Sequence, residues 1–211
     1  MTMLRKIMLK KSCFMKRRAM MLAVLALAGC AGLRGFNSNL PAAEIGYLPA
    51  DAFGDAIQGE DPAIAATNAA TYAFAHPGAM QGQPAEMALA VASLEAMAGQ
   101  FVTGGRWSDM DNTAKLQMLD ARAKVRVVLG VAPTANCQDV IDGLVGAAQA
   151  IKRGDAAGAK LAVAGPAFTK GPEATLNLLA HFPPVPAANV ATVNASRYLY
   201  PAGGNGFGMD M

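Results

Sequence analysis

The chain has 211 residues, of which 53% are hydrophobic, 16% charged and 6% aromatic, a composition that excludes a highly charged disordered chain or a coiled coil. Residues 1–29 contain seven cationic and no acidic residues, so residues 30–211 hold 11 cationic against 15 acidic residues and a net charge of −4. Since no basic patch remains after residue 29, we predict that nucleic acid is not a partner.

The first 33 residues have the pattern of an export signal. Lys16, Arg17 and Arg18 precede an uncharged stretch, residues 19–33, dominated by Met, Leu, Val and Ala. This stretch is shorter than the roughly 20 apolar residues that cross a bilayer. It fits instead the hydrophobic region of a signal peptide, with the cations in front of it.

The end of this stretch, Leu27, Ala28, Gly29 and Cys30, resembles the lipobox of bacterial lipoproteins. The resemblance covers the leader alone. It implies that a diacylglyceryl group joins the Cys30 sulfur, that a signal peptidase recognising residues 27–29 removes residues 1–29, and that the new amino terminus is acylated. Two or three acyl chains on one residue hold a protein stably to a membrane. An ordinary secretory signal and an uncleaved anchor are the alternatives.

The implied processing defines the mature chain. A compact lipoprotein signal also begins at Met15, so starts at Met1 and Met15 give the same product. Ala31 stands where an Asp is associated with retention in the inner membrane, which favours a periplasm-facing site on the outer membrane. Cys13 is lost with the leader, and Cys137 then has no disulfide partner. We interpret Cys137 as a small buried residue rather than a nucleophile or a metal ligand.

Residues 30–60 are predicted to form the lipidated cysteine and a flexible tether, because they are rich in Gly, Pro, Asn and Asp without a sustained period. Within them, Tyr47, Leu48 and Phe53 are candidates for contact with the domain. Residues 61–200 are predicted to form a helical domain, and residues 201–211 a disordered tail.

The helical domain begins with two helices. Asp61 and Pro62 are a capping residue and a first-turn proline, which predict a helix ending near residue 75. From Pro84 a longer amphipathic helix is predicted from large apolar residues at a three- and four-residue spacing, Met87, Val91, Leu94, Met97 and Phe101. Its polar residues are placed off this stripe: Glu86, Ser93, Glu95 and Gln100.

Two further helices follow. The first begins near Ser108 to Asp111, ends before Gly130, and is predicted to place Lys115, Arg122 and Arg126 on its solvated side. Its predicted apolar stripe consists of Ala114, Met118, Ala121, Val125 and Val128. The second helix opens at Asn136 and closes at Gly154.

Shorter helices are predicted from the cap Asp155 to residue 164, over residues 173–182 and over residues 188–200. The fold class is therefore all-α: a small Ala-rich helical bundle or helical-hairpin array of five to seven helices. Residues 141–163 look like the helical hairpin of tetratricopeptide-type repeats, although only one such unit and no 34-residue period is present.

Few residues are candidates for chemistry. His76 and His181 lie at predicted helix ends, and the mature sequence contains no zinc, haem or di-iron spacing, so we predict neither metal nor cofactor. Asp109, Asp111 and Glu173 are interpreted as helix-start residues, and a hydrolase with a dispersed acidic site is kept as an alternative.

Arg106 and Trp107 lie in the turn between the two best helices. An indole beside a guanidinium can bind a sugar, a headgroup or another protein, and it can equally cover the end of a helix pair. We favour the second interpretation and keep the first as a candidate ligand or partner contact.

The sequence predicts a lipid-anchored periplasmic protein, more a non-catalytic accessory or interaction module of an envelope assembly than an enzyme, with a membrane and a protein as its partners. A binder of small hydrophobic or glycan ligands is the alternative, and the hydrolase ranks third.

Overall fold

A computed structural model of the chain describes residues 44–54 and 60–199, which belong to one compact unit. These residues form seven α-helices and no β-strand, which confirms the predicted all-α bundle of five to seven helices. The predicted signal peptide, Cys30, the tether before residue 44 and the tail 201–211 lie outside the described residues.

The helices follow one another with short connections. Their bounds are α1 Pro62–Ala75, α2 Pro84–Thr103, α3 Asn112–Leu129, α4 Cys137–Lys152, α5 Ala156–Ala162, α6 Pro172–Ala180 and α7 Pro186–Ser196. A 3₁₀ turn, Gly105–Trp107, connects α2 to α3.

The helix starts have identifiable chemical causes. Side chains of Asp61, Asp111, Asn136 and Asp155 accept hydrogen bonds from backbone N–H groups in the first turns of α1, α3, α4 and α5. Proline occupies the first turn of α1, α2, α6 and α7, where its missing N–H has no partner to lose.

The predicted bounds of the last three helices need correction. α6 and α7 begin at Pro172 and Pro186, before the predicted starts, because the first-turn proline rule applies to them as it does to α1. They end earlier than predicted, at Ala180 and Ser196, and α5 ends at Ala162.

α2 is the central helix and packs against α1, α3, α4 and α6. Its predicted apolar stripe is buried, but so are Ser93 and Glu95, so the prediction of an amphipathic helix with these residues off the core is wrong. Within the described chain, α2 is the one helix long and apolar enough to span a bilayer, and 83% of that stretch is buried inside the protein. A core helix surrounded by other helices has these properties.

α7 packs in turn against α1 and α3 through small residues. Its fully buried residues are Ala188, Ala191, Thr192 and Ala195. The Thr192 hydroxyl donates to the Ala188 carbonyl at 2.9 Å, and the Thr71 hydroxyl of α1 reaches the Thr192 carbonyl at 3.2 Å. Small side chains allow this close approach of the two backbones.

Candidate functional site

A buried ion pair joins the central helix α2 to α3. Glu95 is 1% exposed. The Nε of Arg126 donates to both oxygens of its carboxylate, at 3.0 and 3.1 Å, and Nη2 donates to Oε1 as well. The remaining nitrogen, Nη1, donates to the Ala135 carbonyl at 3.1 Å. A carboxylate taken out of water requires this degree of pairing, since an isolated buried charge is strongly destabilising.

Arg122 lies one helical turn before Arg126 and is also buried, at 1% exposure. Its Nε is 4.0 Å from a Glu95 oxygen, and its Nη1 donates to the Glu44 carbonyl at 3.1 Å. The prediction that Arg122 and Arg126 are solvated is therefore wrong. Both lie on the α3 face that packs on α2, where the Glu95 carboxylate makes burial of guanidinium groups tolerable.

The cluster of Glu95, Arg122 and Arg126 is suited to holding helices together rather than to proton transfer. Burial alone would lower the pKa of Arg126, but the hydrogen bonds and charge of Glu95 outweigh it and raise the pKa above its ordinary value. Guanidinium groups therefore remain charged at every physiological pH. We call these three residues the charged interior.

Cys137, the first residue of α4, lies beside the charged interior. Its side chain is fully buried, its Sγ lies 3.5 Å from the Glu95 carbonyl, and burial raises the pKa of the thiol to about 12. Reactive cysteines need a lowered pKa and exposure. The geometry therefore favours the interpretation of Cys137 as a small buried residue.

Residues 44–47, assigned from sequence to the tether, lie against the helices. The Gly46 carbonyl accepts from Gln100 Nε2 of α2 at 2.8 Å. The Gln138 amide of α4 accepts from the Tyr47 N–H and donates to the Tyr47 carbonyl, both at 2.9 Å. We call residues 44–47 the docked segment. Of the three residues that the sequence offers as contacts with the domain, Leu48 and Phe53 pack against the core, whereas Tyr47 is 63% exposed.

Two glycines permit this close approach. A Cβ at Gly46 would overlap Ile141 Cδ1 and lie 2.7 Å from Cys137 Sγ. A Cβ at Gly99 of α2 would overlap the Glu44 carbonyl oxygen. Glycine is therefore required on both sides of the contact. We call the surface beneath the docked segment the docking groove; it is formed by Gly99, Gln100, Arg122, Cys137, Gln138 and Ile141.

Trp107 is 7% exposed at the end of α2, where its ring meets Phe101 edge-on with 4.9 Å between centroids. The Arg106 guanidinium lies 4.6 Å from the indole centroid and forms an ion pair with Asp61 at 2.6 Å. Since Phe101 and Arg106 cover the indole, the geometry favours the helix-covering interpretation over a ligand contact.

The two histidines lie at the carboxyl ends of α1 and α6. His76 Nδ1 donates to the Tyr72 carbonyl at 2.9 Å and His181 Nδ1 donates to the Asn177 carbonyl at 3.1 Å, so both satisfy final carbonyls of their helices. Within residues 44–54 and 60–199, no three His, Cys, Asp or Glu side chains come together as a metal site.

The predicted acidic residues have separate structural partners. Hydrogen bonds from Thr113 and Ala114 lower the pKa of Asp111, and a hydrogen bond from Lys160 lowers that of Glu173. Asp109 accepts from the Ser108 hydroxyl at 3.3 Å. A general acid working near neutral pH needs a raised pKa, so this arrangement offers no support for Asp111 or Glu173 in that role.

Two cavities bear on ligand binding. A polar groove of about 220 Å³ lies between the start of α3 and the end of α7, lined by Asp111, Thr113, Ala114, Gln117, Asn194, Arg197 and Tyr198. A pocket beside Phe74, Met80 and Phe182 is apolar but holds only about 10 Å³. Since one water requires about 10–15 Å³, this apolar pocket has no room for a hydrophobic ligand.

The described residues thus define an all-α domain with a charged interior and a polypeptide segment docked over it. No protein-family model matches the chain, and no curated protein and no solved structure is significantly similar to it.

Proposed function

We propose that the chain is a lipid-anchored bacterial envelope protein whose helical domain binds a protein partner on the periplasmic side, with the outer membrane as its location. The observation that carries this proposal is the motif Leu27, Ala28, Gly29 and Cys30 at the end of a hydrophobic region behind three cations.

The burial of Cys137 is consistent with a lipid anchor at Cys30. Because the Cys137 thiol is buried in the folded domain, it is not accessible for modification or for a disulfide bond with Cys30. Residues 31–43 connect the proposed lipidated cysteine to the docked segment. Fully extended, they reach at most about 45 Å, which keeps the domain beside the membrane.

The chemistry of the domain supports an interaction module. Its buried charges hold helices together, Asp111 and the two histidines bond to backbone groups at helix ends, and Glu173 forms an ion pair with Lys160. The charge of the mature chain is mildly acidic, which accords with a protein rather than a nucleic-acid partner.

Intact-mass measurement of the protein purified from its host membranes tests the anchor. We expect residues 30–211 carrying a diacylglyceryl group and an additional acyl chain, and a Cys30→Ser variant that no longer sediments with membranes. A bare Cys30 sulfur, or residues 1–29 still attached, would overturn the anchor.

Affinity purification through a carboxyl-terminal tag tests the interaction. From membranes solubilised in mild detergent, the wild-type chain should recover a stoichiometric protein partner, and the Cys30→Ser chain should recover less of it. A monomer without any partner under these conditions contradicts the interaction role.

The polar groove favours a glycan as the second candidate ligand, in preference to a hydrophobic one. Arg197 and Tyr198 line this groove together with Asn194, whose amide donates to Gln117 Oε1 at 2.8 Å, and these are polar groups of the kind that bind sugar hydroxyls. Titration with amino-sugar oligosaccharides, followed by NMR, should shift signals of these residues and leave an Asn194→Ala variant unaffected. Unchanged spectra at millimolar ligand would exclude this candidate.

The hydrolase ranks third, because the pKa directions of Asp111 and Glu173 do not support it. A screen of envelope substrates with Asp109→Asn, Asp111→Asn and Glu173→Gln tests it: turnover that one of these substitutions abolishes would restore the hypothesis.

A further inference from the structure

The docked segment is held mainly through its backbone. Arg122 donates to the carbonyl of residue 44, Gln100 to that of residue 46, and Gln138 pairs with both backbone groups of residue 47. Such contacts hold the segment in a fixed register without depending on most of its side chains.

Two side-chain requirements add specificity. The Glu44 carboxylate accepts from the Cys137 N–H at 3.2 Å, at the amino terminus of α4, where the helix dipole favours an anion. Two residues later, Gly46 fits against Cys137 and Ile141 where a larger residue overlaps them. The docking groove therefore selects a carboxylate followed, two residues on, by glycine.

Within residues 44–47 the side chains bury little apolar surface, whereas Leu48, Ala52 and Phe53 beyond them pack against the core. Ile45 is 45% exposed and Tyr47 63% exposed, so these two side chains bury far less than the core residues of the helices. Segments with few buried apolar contacts open at a lower free energy than the elements beneath them. Opening removes the segment's hydrogen bonds to Gln100, Gln138 and the Cys137 N–H, so the groove favours another backbone of the same pattern.

We propose that the docking groove is a binding site for a peptide segment with the pattern Glu-x-Gly, which residues 44–47 occupy within the chain and a segment of the protein partner occupies on binding. The proposal rests on the proposed interaction function and names the site and the chemistry of the partner's segment. The chain's own segment is thus an internal competitor that the partner displaces.

Three glycine substitutions separate the segment from the groove. Gly46→Ala alters the segment alone and leaves the groove unchanged. Gly99→Ala alters the groove, because its Cβ would overlap the carbonyl oxygen of any residue bound where Glu44 lies. Gly146→Ala is the matched control: it is also a helical glycine, and its Cβ would meet only Ala162 Cβ at 3.3 Å.

The first measurement is the rate at which a thiol reagent labels Cys137, in the full chain in detergent with Cys13→Ser and Cys30→Ser as the parent. Because Gly46 covers the Cys137 sulfur, Gly46→Ala and Gly99→Ala should each raise the labelling rate about tenfold or more, and Gly146→Ala should match the parent. Equal rates in all four proteins would overturn the proposal.

The second measurement is fluorescence anisotropy with a labelled synthetic peptide of residues 41–52. It should bind the Gly46→Ala chain, bind the parent at least about tenfold more weakly because the parent's own segment competes, and fail to bind Gly99→Ala. A peptide carrying Glu44→Gln and Gly46→Ala should not bind any of them. Equal binding to Gly46→Ala and Gly99→Ala, or none to Gly46→Ala, would overturn the proposal.

Two controls keep the outcome decisive. Should circular dichroism show Gly99→Ala to be unfolded, Gln138→Ala replaces it, since this partly buried side chain supplies two bonds to the peptide backbone and its loss should weaken peptide binding about tenfold. Light scattering should find the parent monomeric; a dimer that Gly99→Ala dissociates would assign the groove to a second copy of the chain and overturn the partner assignment.

The peptide experiment requires neither lipid nor natural partner. Loss of peptide binding therefore overturns the groove assignment alone, whereas a bare Cys30 sulfur overturns the anchor alone.

Discussion

The two sides of the central bundle are specified by opposite means. Between α2 and α3, the charged interior places one carboxylate against two guanidinium groups. Where α7 packs on its neighbours α1 and α3, its own buried residues are alanines and a threonine. We call this second region the alanine interface. The first depends on each charge having its partner, whereas the second depends on side chains being small.

The difference teaches that equal burial does not mean equal sensitivity. A substitution that keeps volume and removes charge should damage the charged interior, whereas one that adds volume and keeps polarity should damage the alanine interface.

The largest effect is expected from Glu95→Gln, which keeps the shape of the side chain and removes the carboxylate charge that faces two buried guanidinium groups. Urea unfolding should show a loss of about 3–5 kcal/mol in the free energy of unfolding. Glu86→Gln is the control on the same helix: its 3.0 Å ion pair with Lys152 is exposed, and its loss should cost less than about 1 kcal/mol. Equal losses in the two variants would contradict the role assigned to the charged interior.

The next effect is a loss of stability at alkaline pH, which links the charged interior to Cys137. The folded thiol has a pKa raised by burial to about 12, against 9.0 when unfolded, so below pH 9 both states keep the proton. Between pH 9 and 12 only the unfolded state ionises, so unfolding becomes easier, by about 2–3 kcal/mol at pH 11 relative to pH 8.

Urea titrations of the wild type and Cys137→Ala at the two pH values check this. The variant should be less stable than the wild type at pH 8 because the substitution leaves a cavity. The difference between their free energies of unfolding should be smaller at pH 11. A gap that stays constant would show that the thiol does not titrate as described.

The alanine interface should respond to added volume. Ala191 is fully buried on α7, and Ala191→Leu should cost about 1–3 kcal/mol through overpacking. Ala187→Leu, at a partly exposed position on the same helix, should change the free energy of unfolding by less than about 0.5 kcal/mol. An unchanged free energy of unfolding in Ala191→Leu would mean that the helices can move apart without loss of stability.

The smallest effect is expected at the surface, where Arg106→Ala removes both the ion pair with Asp61 and the contact with the Trp107 ring. Because the guanidinium is half-exposed, the loss should be about 0.5–1 kcal/mol and should shrink in high salt. Arg106→Lys should retain the contribution to stability that depends on the positive charge. Thermal unfolding at two salt concentrations distinguishes the contributions, and a salt-independent loss would assign the effect to packing.

The sequence predicted the helices well because their starts depend on local chemistry. Asp61, Asp111 and Asn136 cap helices through residues two or three positions away, and Gly130 ends α3 with a positive φ of 76°. The bounds of α6 and α7 were missed although Pro172 and Pro186 carried the same signal that was recognised at Pro62.

The charged interior was missed because its partners are distant in the sequence: 31 residues separate Glu95 from Arg126. A signal was nevertheless present, since a helix as apolar as α2 is buried on all sides, and an acid near its middle then requires a buried cation. The docking groove had no comparable signal. The need for glycine at positions 46 and 99 becomes apparent only when the docked segment is seen in contact with the helices.

The position of Glu95 has a further consequence for the exported chain proposed above. While still unfolded, such a chain must carry the α2 sequence past the lateral opening of the secretion channel, where a long apolar segment can partition into lipid. An ionised side chain at the centre of such a segment costs about 2.5–3.5 kcal/mol on the scale for insertion. If the chain is exported as proposed, the carboxylate that later binds two arginines therefore also disfavours the insertion of α2 into the bilayer during transit.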